Sequence, residues 1–300
     1  MKKRDGGRRE PAGECVYAFA SGECGVSYRE EGTGIPVIFL HNGGNDRRIW
    51  DYQVSAFSGS CRVIAPDHPG YGLSGKPRVD YTLDFYADYL RAFIAHLGAQ
   101  RPVLVGNCIG SAMALRYAME NPGKVRALVL ISLATENTLR RGIFGTLYTI
   151  TLGSPRARRA IARLAETGAA SREARLMGYR MLYGKTGDPD PEFKKHLDLL
   201  YGSRDQLPSL YSLLANFRSF GVLDGAARPA GFPPCCVIWG KQNRVLPEKG
   251  GAEFRSSFGP DEYHVIEGTG HMVMRERHGE VNRIITEFLV RNGALGGATG

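Results

Sequence analysis

Seven residues, Val105-Gly106-Asn107-Cys108-Ile109-Gly110-Ser111, constrain this chain more than any other stretch. The short apolar run Arg101-Pro102-Val103-Leu104 before them is of strand type, and Ser111 to Ala118 after them reads as a helix. A strand that passes straight into a helix must reverse sharply. Gly106 and Gly110 remove the side chains that would clash in that turn. The residue between them is pushed outward at the tip, in the pattern G-x-nucleophile-x-G. Here it is Cys108, where serine is the commoner choice.

The flanking chain has the rhythm of an α/β fold. Cys15–Ala20 and Gly25–Glu30 read as an antiparallel hairpin joined through Ser21–Cys24. Ile35–Leu40, Cys61–Pro66 and Val125–Leu133 are continuous apolar runs, as expected of strands buried on both faces. A short helix is expected from Ile49 to Phe57. A longer one, capped by Thr82, runs to about Gly98 with Leu83, Tyr86, Tyr89, Leu90, Phe93 and Leu97 on one face. From Ala134 to about Gly221 the patterns are helical, with no convincing strand. The alternation then resumes with Cys235–Gly240, a helix around Gly251 to Phe258, Glu262–Ile266 and a closing helix from Glu280 to Arg291. This order predicts a mostly parallel sheet with helices on both faces and a helical insertion over the strand ends.

Three hundred residues suit one large domain carrying an insertion. The basic start, Met1 to Glu10, has no apolar stretch behind it, so no secretory signal is expected there. No run is long enough to span a bilayer, so a cytoplasmic location is expected. The cysteines lack C-x-x-C spacing, so neither a metal site nor a disulfide framework is expected, and those other than Cys108 read as core thiols. The formal net charge is +9. Residues 137–220 hold fourteen Lys and Arg against seven Asp and Glu, 14 − 7 = +7, so most of the excess sits in the insertion. There the apolar stretch Gly142–Leu152 lies between Arg140-Arg141 and Arg156, Arg158 and Arg159. It reads either as a helix packed on the domain below or as an acyl-binding wall with a basic rim. Such a rim suits a substrate presented on coenzyme A or on an acidic carrier protein. No nucleic-acid module is present, and membrane contact is not expected.

Four motifs stand in order along the chain: HNGG after the third strand, DHPGYGLSGKP after the fourth, GNCIG at the elbow, and WGKQNRVLP followed by GTGH near the end. Together they resemble the α/β-hydrolase fold superfamily, from about Tyr17 to Val290. The resemblance implies an eight-stranded sheet with a helical cap after the sixth strand. Core residues 14–134 and 222–292 would flank a cap at 135–221, with a disordered basic tail at 1–13 and a flexible tail at 293–300.

The resemblance also implies a nucleophile, an acid and a histidine in that chain order. These positions fall on Cys108, Asn243 and His271, with an oxyanion hole from the backbone N–H groups of Gly43 and Ile109. Asparagine stands where the family normally has aspartate. A thiol ionises far more readily than a hydroxyl. A resting thiolate–imidazolium pair would then ask little of the third residue beyond an amide oxygen accepting from His271 Nδ1–H, as in Cys-His-Asn proteases on another fold. Glu136, just past the sixth strand, is the alternative acid; Asp224 reads as a helix cap. His41 and His68 are expected to brace their turns. Trp239 and Gly240 are expected to be structural. The function implied is hydrolysis of an ester or thioester of a hydrophobic acyl group through an acyl-Cys108 intermediate, with no cofactor. An acyltransferase using the same intermediate and a non-catalytic binding protein of this fold remain open.

Overall fold

A computed structural model describes residues 13–146, 148, 149, 156, 160, 180–185, 187, 188 and 190–295. Most of the proposed tails, Arg158 and Arg159 of the basic rim, and most of 147–155 lie outside the described residues.

Eight strands form one sheet: β1 (Gly13–Phe19), β2 (Gly22–Glu31), β3 (Pro36–Leu40), β4 (Arg62–Pro66), β5 (Val103–Asn107), β6 (Ala127–Ile131), β7 (Cys235–Gly240) and β8 (Glu262–Ile266). Their order is β1-β2-β4-β3-β5-β6-β7-β8. β2 is antiparallel to both its neighbours, and every pair from β4 to β8 is parallel. β5, β6 and β7 are buried along their whole length, as their unbroken apolar runs require.

Several boundaries differ from the sequence reading, two of them with a clear physical reason. The hairpin turn is only Ala20-Ser21, because β2 begins at Gly22 opposite Phe19. β5 runs on through Gly106 and Asn107, residues that alone suggest a turn. Gly106 pairs with Leu40 on one side and Leu130 on the other, and Asn107 pairs with Ile131. Ladder bonds from both neighbours override local turn preference.

Helices flank the sheet. α1 (Asp51–Phe57) packs against the closing helix His278–Arg291. α2 (Leu83–His96) packs against α3 (Ile109–Glu120). Thr82 caps α2, its Oγ1 accepting from Phe85 N at 3.1 Å. Between β6 and β7 the described elements are helical: Glu136–Arg140, Pro191–Gly202, Leu207–Ala215 and a 3₁₀ stretch, Phe217–Leu223. Thr135 caps the first of these helices, its Oγ1 accepting from Thr138 N, and Asp224 takes a further free N–H there, accepting from Asn137 N at 3.2 Å. All six cysteines are free, and all but Cys108 are buried.

The elbow glycines are required by space. A Cβ on Gly106 would stand 2.3 Å from the Gly110 carbonyl carbon, and one on Gly110 would stand 2.1 Å from Leu40 O. α3 thus lies on β5 and β3 backbone to backbone. Gly110→Ala is expected to push them apart, lowering stability by about 3 kcal/mol, read from the urea midpoint. An unchanged midpoint would show that the contact is not needed.

Candidate active site

Cys108 stands at the elbow tip with φ 55° and ψ −112°. A non-glycine residue rarely occupies that region, and a strained backbone of this kind marks functional sites. The strain is held by Cys108 N donating to Ile131 O at 3.0 Å and by Ala112 N and Ala134 N donating to Cys108 O at 3.1 and 3.3 Å. The amides of Ile109 and Gly43 are turned toward the Cys108 sulfur and favour its thiolate, but burial outweighs them and pushes the thiol pKa up to about 12.

Gly43 belongs to the loop after β3. His41 Nε2 accepts from His68 N at 2.9 Å, and His41 Nδ1 lies 2.7 Å from Asn42 O. With Nε2 accepting, Nδ1 carries the proton. The two imidazoles stack at 4.0 Å. The sequence reading has each histidine bracing its own turn; here the two turns are tied to each other, with His68 Nε2 also 3.1 Å from His41 O. From the cap, Gln206 Nε2 donates to Gly44 O at 3.0 Å and His196 Nε2 meets Asp46 Oδ2 at 2.7 Å. Leu213 comes so close that a Cβ on Gly43 would stand 2.7 Å from its Cδ2.

His271 is buried in the loop after β8. Its backbone is pinned by chain returning from the cap: His271 N donates to Leu182 O at 2.7 Å. Glu276 accepts from Gly270 N at 2.7 Å and from Gly184 N at 2.8 Å. Beside it the buried Arg275 reaches Asp188 at 2.6 Å and Asp190 at 3.3 Å, with its guanidinium 3.4 Å from the Phe193 ring centre. Nothing in the sequence marks these cap residues, because long-range pairing leaves no local pattern.

Asn243 does reach His271, but in the opposite sense to the expected one. Its Oδ1 accepts from Val245 N at 3.1 Å and Leu246 N at 3.0 Å. Those two donors fix the amide, so Nδ2 faces Ser132 Oγ at 3.0 Å and His271 Nδ1 at 3.2 Å. An amide NH₂ only donates. His271 Nδ1 is therefore the acceptor, and the neutral ring carries its proton on Nε2. Burial also pulls the His271 pKa down to about 3. The resting pair is thus a neutral thiol and a neutral imidazole, not the ion pair expected from the sequence. Among the described residues no carboxylate is hydrogen-bonded to His271 to stabilise an imidazolium there. Among the described residues no hydrogen bond joins His271 to Cys108.

Glu136 does not serve this histidine in the structure: its carboxylate is taken by Arg140 at 2.7 Å and Tyr148 at 2.9 Å. The residue that follows β6 and meets Asn243 is Ser132, with φ 48°. Its signal was available, as the first polar residue after a buried strand. Cys236, Glu262 and His264 come together at the other end of the sheet. There Arg291 holds Glu262 at 2.7 Å and supplies the cation.

Residues 35–277 match the model of the alpha/beta hydrolase fold family. The chain belongs to that family. An uncharacterized protein of Mycobacterium tuberculosis is 26% identical over 274 residues, covering 88% of this chain and 77% of that one. A haloalkane dehalogenase of Agrobacterium fabrum is 33% identical over 108 residues, 36% of each chain. Among solved structures, a membrane phospholipase A superposes with a TM-score of 0.75 at 22% identity, over 93% of this chain and 86% of that one. An esterase from Thermogutta terrifontis superposes at 0.67 and 23%, over 94% and 99%. No helix among the described residues is long and apolar enough to cross a membrane.

Two consequences follow for pH. With its pKa near 12, Cys108 should be alkylated by iodoacetamide about tenfold faster per pH unit from 7 to 10. A rate already level at pH 7 would instead reveal a thiolate–imidazolium pair. His271 and His41 have pKa values pulled to about 3 and about 4, and His68 is also pulled well down, all by burial. Between these values and 6.5 the unfolded chain binds more protons than the folded one, so stability rises with pH there and falls on acidification. The melting temperature should drop between pH 7 and 5, and less so in His271→Gln; equal drops in both would clear His271 of that role.

Proposed function

We propose that the protein is an acyl-transfer enzyme that hydrolyses an ester or thioester of a hydrophobic acyl group through an acyl-Cys108 intermediate. The observation that carries this reading is the turning of two backbone amides, Gly43 and Ile109, toward a sulfur held at a strained elbow tip. Such preorganised donors favour an oxyanion. In the reaction Cys108 Sγ bonds to the carbonyl carbon while its proton passes to His271 Nε2. The carbonyl oxygen takes the charge beside the two amides. Collapse expels the alcohol or thiol, which takes the proton from His271. Water then attacks the acyl-thioester, giving its proton to His271, and releases the acid and the Cys108 thiol. Leu210 and Leu213 over Gly43 and Gly44 would line the acyl path. An acyl acceptor other than water would make the same site an acyltransferase. Dehalogenation is disfavoured, since it requires a carboxylate where Cys108 stands.

Asn243 slows this chemistry. Before Nε2 can accept a proton, the ring proton must move to Nδ1, where it would face the amide NH₂ of Asn243. The same observation favours a second reading, a non-catalytic protein that binds an apolar ligand over the elbow.

Mass spectrometry after incubation with p-nitrophenyl acyl esters and acyl-thioesters separates the two. The enzyme reading expects an acyl adduct on Cys108 that turns over and is absent from Cys108→Ala. Tight reversible binding with no adduct from any donor would establish the other reading. Asn243→Asp supplies an acceptor for Nδ1–H, and turnover should rise by up to about 10⁴-fold, the scale of the reverse Asp-to-Asn change in a serine-protease triad. A variant no faster than the parent would show that the tautomer does not limit the site.

A further inference from the structure

Tyr71 lies in the loop after β4, inside the molecule, its ring edge-on to His41 with centroids 5.8 Å apart. Its hydroxyl is fully buried and makes no hydrogen bond. The Tyr86 hydroxyl lies close enough to act on the Tyr71 phenol as a donor, yet the pair falls outside hydrogen-bonding geometry, and both hydroxyls are buried without a bonded partner. Buried hydroxyls almost always find a partner, so an orphan of this kind calls for an explanation. Its position supplies one. A Cβ built on Gly43 would stand 3.5 Å from Tyr71 Oη and 3.7 Å from Ile109 Cδ1. The hydroxyl therefore borders the loop whose amide is turned toward Cys108, and the Cys108 sulfur belongs to its electrostatic surroundings.

We propose that Tyr71 Oη is a third donor to the substrate carbonyl oxygen as it becomes an oxyanion on Cys108. This rests on the acyl-transfer reading. The ligand oxygen would be the missing partner of the orphan hydroxyl. Burial pushes the phenol pKa up, so the group stays protonated, a donor at every working pH. Tyr86, its neighbour on α2, is the control for the assignment.

The test uses octanal, which needs neither turnover nor a co-reactant. The Cys108 thiol adds across the aldehyde: an S–C bond forms, the C=O π bond breaks, and the thiol proton ends on the oxygen. Octanol, with no carbonyl, reports apolar binding alone. In Tyr71→Phe, octanal affinity should fall at least about tenfold. Octanol affinity should stay as in the parent, and the melting temperature should hold or rise, because an unbonded polar group is removed. Turnover should show the same split, with kcat down by about a hundredfold and KM unchanged. Tyr86→Phe should behave as the parent.

Equal octanal affinity in Tyr71→Phe and parent would overturn the assignment while leaving acyl transfer standing. So would a loss shared by octanol or accompanied by a lower melting temperature, which would mark a packing role. A parent protein that forms no hemithioacetal would overturn the acyl-transfer reading and this assignment with it.

Discussion

The contact of α3 with the backbones of β3 and β5 sets the rest of the molecule. With no room for a Cβ at Gly106 or Gly110, the chain between them cannot spread its bend over several residues. The reversal concentrates at Cys108, which takes the positive φ that neither glycine takes. An L-residue held there stores strain, and three backbone hydrogen bonds from different parts of the fold hold it. The same geometry puts the first amide of α3, that of Ile109, beside the sulfur. Thus one steric constraint yields both the strained tip and one of the two donors beside it.

Electrostatics at this tip is dominated by burial. The expected benefit of a cysteine was a thiolate resting against an imidazolium. That pair would need either solvent or a carboxylate nearby. Asn243, at the position proposed for the acid, has the shape of a carboxylate, with its carbonyl oxygen anchored by Val245 and Leu246. Replacing a carboxylate oxygen by NH₂ changes the sign of the bond to His271 without moving an atom. A single isosteric exchange thereby decides which ring nitrogen is protonated. A sharper contrast with the Cys-His-Asn arrangement is hard to draw, since there the amide oxygen faces the ring.

Much of this was legible in the sequence. The apolar runs gave the buried strands, Thr82 gave the start of α2, and four ordered motifs pointed to the family. The loops bearing Gly43, Cys108, Asn243 and His271 were found because each follows a strand with a recognisable pattern. The direction of the Asn243 amide was not legible. It depends on two backbone N–H groups whose positions are set by the fold of residues 243–246. Ser132 was missed for a related reason: its importance lies in a hydrogen bond to a residue 111 positions away. The orphan hydroxyl of Tyr71 was equally invisible, as burial without a partner has no sequence signature.

The cap adds a constraint that no motif carries. Leu182 O receives the His271 amide, and Gly184 comes within touching distance of Gly268 and Gly270, where no side chain would fit. The histidine is thus positioned as much by the insertion as by β8. On the other side of the site, His196 and Gln206 reach the loop of Gly43 from two cap helices. Both halves of the proposed machinery, the base and the oxyanion donors, are therefore tied to the same inserted block. Arg275 strengthens that tie: it is buried between two cap carboxylates and stacked on Phe193, so loosening the cap would leave its charge uncompensated. The penalty favours a cap that stays seated near His271.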